Sequence, residues 1–545
     1  MPDELDPRYF LTHFKRLLGD VRSRYPDLLS PGESTFLSSF DQLAEPSQAL
    51  LVRLVMRRHD VFRSDAIIYA EVSDTASALA QLAAHELVSL DRPIDPDMLG
   101  RLTTKPELLA AFPDQGLKAS QRKCDILARI AQAHAEPRTL AEWLSAPALG
   151  TVHLECRDVV DGLRLLFFGN LHQDWSEFVV SELGHVRYET VDLRPECRAF
   201  TCRQDIEACR RLHHLQHELA EDQDPARLLA HLSPPPDLGA LARYRWSKFQ
   251  HRLGEAAERR KDWLLAKQCY EASAYKLSRH RLMRIHEKLE AWDDAWRLAV
   301  AMAESPASES EYQSVIRALP RLSKRVGESV PVIASVHAPV TERICLPAQP
   351  ETGVERAVVK ALTRENMQVH WLENTLFNGL FGLLFWEVIF APVPGAFFHA
   401  FQQGPADLYH PEFSPRREAL IQQVFSGLES DDLADRVINR FDSKHGIANP
   451  FVVWQILSED LLRTALAHVP RQHLRVVFER MLRDLRANTS GFPDLVAFDR
   501  LTGRYELIEV KGPGDRVQDN QARWMDHFQR HGIPCRVLQV SWPSP

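Results

Sequence analysis

The stretch that decides the fold reads Gly491-Phe492-Pro493-Asp494-Leu495-Val496-Ala497-Phe498, followed after a short turn by Tyr505-Glu506-Leu507-Ile508-Glu509-Val510-Lys511-Gly512. The first block is an apolar run entered through Pro-Asp. The turn, Asp499 to Gly503, contains glycine, and the second run alternates before it meets Gly512-Pro513-Gly514. Two such runs joined by a short turn predict a β-hairpin. Side chains two apart on a strand share a face, so Glu509 and Lys511 project together with Val510 opposite. With Asp494 at the start of the neighbouring strand, two carboxylates and an ammonium converge, which suits metal-dependent hydrolysis.

Outward from this hairpin, the pattern continues with a helix from Asp515 to His531, where Val517, Gln521, Trp524, Met525 and Phe528 share one side, and a strand from Arg536 to Ser541. Strand, turn, strand, helix, strand is the order of an α/β nuclease core. Upstream, Trp371-Leu372-Glu373 opens the apolar run Leu376 to Phe390. A glutamate at the head of so apolar a helix is costly unless paired or bound to a cation. Glu387 lies fourteen residues on, roughly 21 Å along a helix axis at 1.5 Å per residue, so the two cannot serve one metal pair. A structural or surface role is expected for Glu387. Val354 to Gln368 reads as a helix leading into this domain.

Pro493-Asp494 with Glu509-Val510-Lys511 forms the pattern Pro-Asp…Glu-x-Lys and resembles the PD-(D/E)xK nuclease superfamily. Together with the Gly512-Pro-Gly-Asp-Arg516 loop and Gln521, it looks like the VRR-NUC type of that superfamily. The run Glu373-x-x-x-Phe377-x-x-Leu380-Phe-Gly-Leu-Leu384-x-Trp386 upstream of that core resembles the Fanconi-associated nuclease family. The resemblance selects Glu373, with Asp494, Glu509 and the Val510 carbonyl, as holders of one or two Mg²⁺ or Mn²⁺ ions. It implies Lys511 and Gln521 as catalytic groups and Arg516 as a phosphate contact. It further implies 5′-flap endonuclease and 5′-to-3′ exonuclease activity on branched DNA in interstrand-crosslink repair. Animal members carry an N-terminal ubiquitin-binding zinc finger and an aromatic- and arginine-rich segment that shapes a 5′-phosphate pocket; this sequence presents no equivalent of either.

The rest of the 545-residue chain reads as mostly helical, and the expected domains span 1–65, 66–232, 233–345 and 346–545. Residues 8–60 read as helices, the second with a basic side of Arg53, Arg57, Arg58 and His59, either a solvated face or a phosphate contact. An Ala-rich helical segment is expected over Ile67 to Leu90. Met98 to Ala133 reads as helix, turn, helix, and its Gly116-Leu117-Lys118…Arg122-Lys123 step resembles the SAP motif, a small DNA-binding unit. Lys118, Arg122 and Lys123 at a helix N-terminus are placed to hold phosphates; the alternative is an ordinary helix pair with a basic turn. A helix start after Asp174 and a break at Ser233-Pro-Pro-Pro-Asp237 follow. From Tyr244 to Ser305, Leu253-Gly254, Ala266, Tyr270 and Ala295-Trp-Arg-Leu-Ala resemble tetratricopeptide spacing, against an unrelated helical bundle, and offer a surface for repair-protein partners. The fold class is therefore multidomain and mostly α, with a SAP-like unit, a tetratricopeptide-like repeat and a C-terminal α/β PD-(D/E)xK domain.

A net charge of −8 requires any nucleic-acid surface to be a local patch. The eight cysteines include one cluster, Cys197, Cys202 and Cys209, and no C-x-x-C pair. A zinc site with Cys156 or His153 is disfavoured by spacing, and reduced thiols are expected. No signal-peptide or membrane-length apolar run occurs, so a soluble intracellular protein of the cytoplasm and nucleoid, or of the nucleus in a eukaryote, is expected. The competing readings are a different PD-(D/E)xK enzyme such as a junction resolvase, and a non-catalytic DNA-binding scaffold.

Overall fold

The computed structural model describes residues 8–173, 186–232, 237–331, 339–347 and 353–542. The helix start after Asp174 and most of the Ser233–Asp237 break lie outside them. The chain forms two compact units, Met1–His185 with Thr201–Ile206, and Val186–Phe200 with Glu207–Pro545.

In the first unit, α1 (Tyr9–Arg24), α2 (Pro31–Gln42) and α3 (Glu45–Val55) bury Phe10, Phe14, Leu17, Phe36, Phe40, Leu50 and Leu54. Sequence chemistry starts α2: Ser30 and Glu33 form a reciprocal capping box, with Pro31 at the first helical position. The expected helix over Ile67 to Leu90 is shorter. Only α4 (Thr75–Ala84) is α-helical, begun by the Asp74 cap, and Val88–Leu90 is a strand. That strand (β2) and Val61–Arg63 (β1) flank Thr151–Leu154 (β3) in an antiparallel sheet. Three-residue strands carry too little alternation to be distinguished by pattern. The SAP-like unit follows the expected order, with α5 (Pro96–Leu102), α6 (Lys105–Ala111), α7 (Lys123–Ala133) and α8 (Leu140–Leu144). They enclose Leu99, Leu108, Ile126, Ile130 and Trp143. The unit's closing helix is α9 (Arg157–Phe168).

In the second unit, α10 (Ala240–Arg259), α11 (Trp263–Glu271), α12 (Ser278–Lys288), α13 (Trp292–Glu304) and α14 (Glu309–Val326) pack in consecutive pairs. The small and aromatic positions interlock as the repeat pattern requires: a Cβ on Gly254 would come within 2.6 Å of the Tyr270 ring. Met283, Ala295, Ala299, Met302, Leu319 and Leu322 continue that core.

The C-terminal domain is a five-stranded mixed sheet of order β4-β8-β7-β6-β5, with β4 Thr341–Cys345, β5 Met367–Trp371, β6 Leu495–Asp499, β7 Arg504–Lys511 and β8 Cys535–Ser541. The helix expected over Val354–Gln368 ends at Leu362 (α15, Val354–Leu362), and β5 follows and pairs with β6. Strand β5 is short, and half-buried residues there gave no clear two-residue period. One face of the sheet (Val496, Phe498, Tyr505, Leu507) packs on α16 (Thr375–Leu384) and on α17 (Asp519–Arg530) through Trp524, Met525 and Phe528. The other face (Leu495, Ala497, Ile508, Val510) covers Ala357 and Val358 of α15. Among the described residues no helix is long and apolar enough to cross a membrane.

Candidate active site

Strand β7 lies at the centre of the sheet, antiparallel to β6 and parallel to β8. Leu495 faces Ile508, so one register step further sets Asp494 across from Glu509 on the face continued by Leu507. Like charges directly opposite each other on neighbouring strands repel. The Asp494 carboxylate accepts from the Val510 backbone N–H at 2.8 Å, and Lys511 Nζ lies 2.5 Å from Glu509 Oε1.

Glu509 has no solvent exposure, and neither of its oxygens has a directed hydrogen-bond donor, although Lys511 stands at ion-pair distance. Its carboxyl is pushed up to about 7, first by burial and then by the charge of Asp494, with Lys511 opposing. Asp494 is raised as well: burial dominates, the Val510 N–H and Lys511 pull the other way, and Glu355 and Glu373 push it further up. A buried carboxylate short of donors and repelled by a second is the donor set a hard divalent cation satisfies.

Glu373 reaches this site differently from the expectation. It precedes α16, which starts at Thr375, and its side chain is exposed, so burial in an apolar helix is not its constraint. Its backbone is the anchor: the N–H groups of Leu372 and Glu373 donate to the Asp494 carbonyl at 3.0 and 2.9 Å. To do so Glu373 adopts a left-handed φ of 42°, a conformation that costs a side-chain-bearing residue about 1–3 kcal/mol and concentrates at functional sites. Among the described residues, no three acidic, histidine or cysteine side chains converge tightly enough to hold one ion. The close group is Asp494 and Glu509, with Glu373 adjacent through its backbone.

Glu355, in the first turn of α15, is the acidic neighbour that sequence reasoning missed. Its signal was an acidic residue two places after Gly353, readable only once α15 is known to pack on β7. Glu387 pairs with Arg440 at 2.6 Å on the surface, as expected. Gln521 occupies the third position of α17, where its side-chain oxygen accepts from the Gln518 backbone N–H at 2.9 Å in a capping box. Arg516 is exposed in the loop after β7.

In the SAP-like unit, Lys118 and Arg122 are exposed, and Arg122 pairs with Asp125 at 3.1 Å. Lys123 donates to the Thr103 carbonyl at 2.5 Å, so its ammonium braces the turn. Arg53 of the N-terminal basic side pairs with Glu71 at 2.6 Å and covers the Phe10 ring.

Known proteins align with this architecture along its length. The VRR-NUC domain family matches residues 429–542, the FAN1 HTH domain residues 8–89, and the Fanconi anemia-associated nuclease SAP domain residues 93–143. A Fanconi-associated nuclease 1 homologue of Pseudomonas aeruginosa is 39% identical over 541 residues, 98% of this chain and 96% of that protein. This chain belongs to the Fanconi-associated nuclease 1 family, and with it to the structure-specific DNA nucleases. A homologue from Arabidopsis thaliana is 24% identical over 98% of this chain and 67% of its own length. The crystal structure of paFAN1 bound to DNA with a gap and a two-nucleotide 5′ flap superposes with a TM-score of 0.90 at 38% identity, covering 100% of both chains. The complex with a one-nucleotide 5′ flap gives 0.87. The helix-turn-helix assignment for residues 8–89 was not read from the sequence, where the three-residue strands hid the end of that unit.

Proposed function

We propose that this member of the family cleaves 5′-flap DNA endonucleolytically and resects from 5′ ends, by divalent-metal-dependent hydrolysis in interstrand-crosslink repair. The observation that carries the reading is Glu509: a fully buried carboxylate facing Asp494, with Lys511 at ion-pair distance, at the centre of the sheet. Asp494, Glu509 and the Val510 carbonyl would hold one or two Mg²⁺ or Mn²⁺ ions, with Glu373 as a further carboxylate. When bound, the ions polarise the scissile phosphate and lower the pKa of an attacking water.

The chain's own groups do the rest. Asp494 is oriented by the Val510 N–H and by the two N–H groups on its carbonyl, so its carboxylate is preset. Lys511 places a positive charge beside the carboxylates, where negative charge builds on phosphate oxygen or where the water must be aimed. Gln521 has its oxygen committed to the α17 cap and is proposed to orient water or Lys511 through its amide. Arg516, exposed beside the site, is proposed to contact the DNA backbone, as are Lys118, Arg122 and Lys123 in the SAP-like unit. The helical repeat is proposed as the surface for repair-protein partners.

Purified protein incubated with end-labelled 5′-flap, 3′-flap, four-way-junction and blunt duplex DNA, with Mn²⁺, Mg²⁺ or EDTA, tests this. Metal-dependent products from the 5′ flap, at lengths that place the cut near the junction, are expected. Preferential cutting of the four-way junction would replace the reading with a junction resolvase, and no cleavage under any metal would replace it with a DNA-binding scaffold.

A further inference from the structure

Helix α14 of the repeat meets the nuclease domain through three side-chain contacts. Arg317 pairs with Asp519 at 2.7 and 2.9 Å, Arg523 donates to Gln313 at 3.0 Å, and Arg480 pairs with Glu309. The Arg317 pair is exposed, and exposed pairs are screened by water. Arg480 differs. It lies on the helix Arg471–Arg483 and is 1% exposed. It donates to the Arg523 carbonyl at 2.7 Å, and its guanidinium sits 4.2 Å from the Trp524 ring centre. Burial works against its charge and Glu309 supports it.

From Arg480 a continuous stack runs to both arms of the metal site. Trp524 stacks on Phe492 at 4.2 Å with its ring inclined by 29°, and donates through its indole N–H to the Ser490 carbonyl at 3.1 Å. Phe492 in turn stacks on Phe377 at 5.2 Å. Phe492 lies two residues before Asp494, and Phe377 four after Glu373. Asn374 closes the loop by accepting from the Phe492 N–H at 3.2 Å. Gly491 has a φ of 90°, and a Cβ there would come within 2.9 Å of the Asn520 backbone. The Gly491 backbone is therefore packed directly against the first turn of α17.

We propose that Arg480 is a positioning residue of the metal site: through Trp524 and Phe492 it fixes where Asp494 stands, and through Glu309 it ties that placement to the repeat helix α14. The inference rests on the metal-site reading above. A planar guanidinium over an indole is not replaced by an ammonium, so Arg480→Lys keeps the charge and loses the stacking geometry. Glu309→Gln keeps the shape and removes the supporting charge, and Phe492→Leu keeps an apolar group and removes the ring stack.

The test is Mn²⁺ binding to the DNA-free protein, measured by calorimetry, beside the Mn²⁺ dependence of 5′-flap cleavage and flap affinity in EDTA. Arg480→Lys and Glu309→Gln should weaken Mn²⁺ binding about 10- to 100-fold, the range seen when groups supporting metal ligands are altered. The cleavage midpoint should rise in parallel while flap affinity in EDTA stays at the wild-type value. Arg317→Ala, on the same interface but exposed, should leave Mn²⁺ binding unchanged. A purely structural Arg480 would lower thermal stability without moving Mn²⁺ binding, and that result overturns the inference. Should Arg480→Lys not fold, Glu309→Gln and Phe492→Leu decide by the same readout. Wild-type protein that cleaves without metal and binds no Mn²⁺ would overturn the metal-site reading itself, an outcome distinct from wild-type binding that the variants leave intact.

Discussion

The two basic-and-acidic constellations of this protein are built in opposite ways. At the nuclease centre, Glu509 and Asp494 face each other across neighbouring strands, burial raises both carboxyls, and the charge of Asp494 raises Glu509 further. In the SAP-like turn, Lys118 and Arg122 stand in solvent, while Lys105 and Lys123 donate at 2.5 Å to the carbonyls of Ala119 and Thr103. One site places like charges together inside the protein; the other uses two cations to shape a turn and leaves two outside. Burial makes the first site specific and costly, because charge out of water must be compensated. Exposure makes the second site weak per residue and dependent on salt.

The sharpest way to break the comparison is to remove one charge from each site. Asp494→Asn, Glu509→Gln or Lys511→Ala should lower flap cleavage by at least about 100-fold, the scale on which a preorganised electrostatic group acts in a water-excluded site. Flap affinity measured in EDTA by anisotropy should change little. Near-wild-type cleavage in any of the three would remove that residue from the catalytic group.

Next in size is a stability effect with a defined sign. The Glu509 carboxyl moves from an ordinary 4.5 to about 7 in the folded protein. Between those values the folded state holds a proton the unfolded chain has lost, so metal-free stability falls as pH rises through that window and is fully retained below it. At about 1.36 kcal/mol per unit, the loss by pH 8 is about 3 kcal/mol. Thermal denaturation in EDTA should therefore show Glu509→Gln more stable than wild type at pH 8 and little different at pH 4.5. Saturating Mn²⁺ should stabilise wild type and not this variant. A wild-type melting profile in EDTA that is flat from pH 5 to 8 would count against the buried-pair description.

Why one site was readable and the other only partly so follows from these same physical differences. The Asp494–Lys511 pattern was legible because strand alternation alone puts Glu509 and Lys511 on one face, and the observed register then brings Asp494 opposite. The helix after it was legible from its apolar stripe, although its start moved to Asp519, where the Gln518–Gln521 box sets the cap. For Glu373 the burial argument does not hold, since its side chain is exposed, and only the family resemblance selects it; what ties it to the site is a backbone bond to Asp494. No side-chain pattern encodes such a bond. Glu355 and Arg480 were invisible because each acts across elements distant in sequence, α15 onto β7 and α14 onto α17. In the SAP-like unit the motif was legible, but the division of labour among its cations depends on which carbonyls the folded turn presents.

Smallest in effect, and most informative about the exposed site, is a comparison among those cations. Lys118→Ala and Arg122→Ala remove charges that face solvent, so folding should be untouched. If each contacts one phosphate, each should lower the slope of log affinity against log salt by about 0.9. Lys123→Ala removes the donor to the carbonyl of the buried Thr103, whose N–H closes α5 onto the Leu99 carbonyl. That variant should lower the melting temperature more than the other two, since a buried acceptor loses its charged partner. Salt-titrated flap binding alongside thermal denaturation separates the roles. A salt slope that moves for Lys123→Ala and not for Lys118→Ala or Arg122→Ala would invert the division between brace and contact, and would make the SAP-like turn a site built like the nuclease centre, with its working charge held inside.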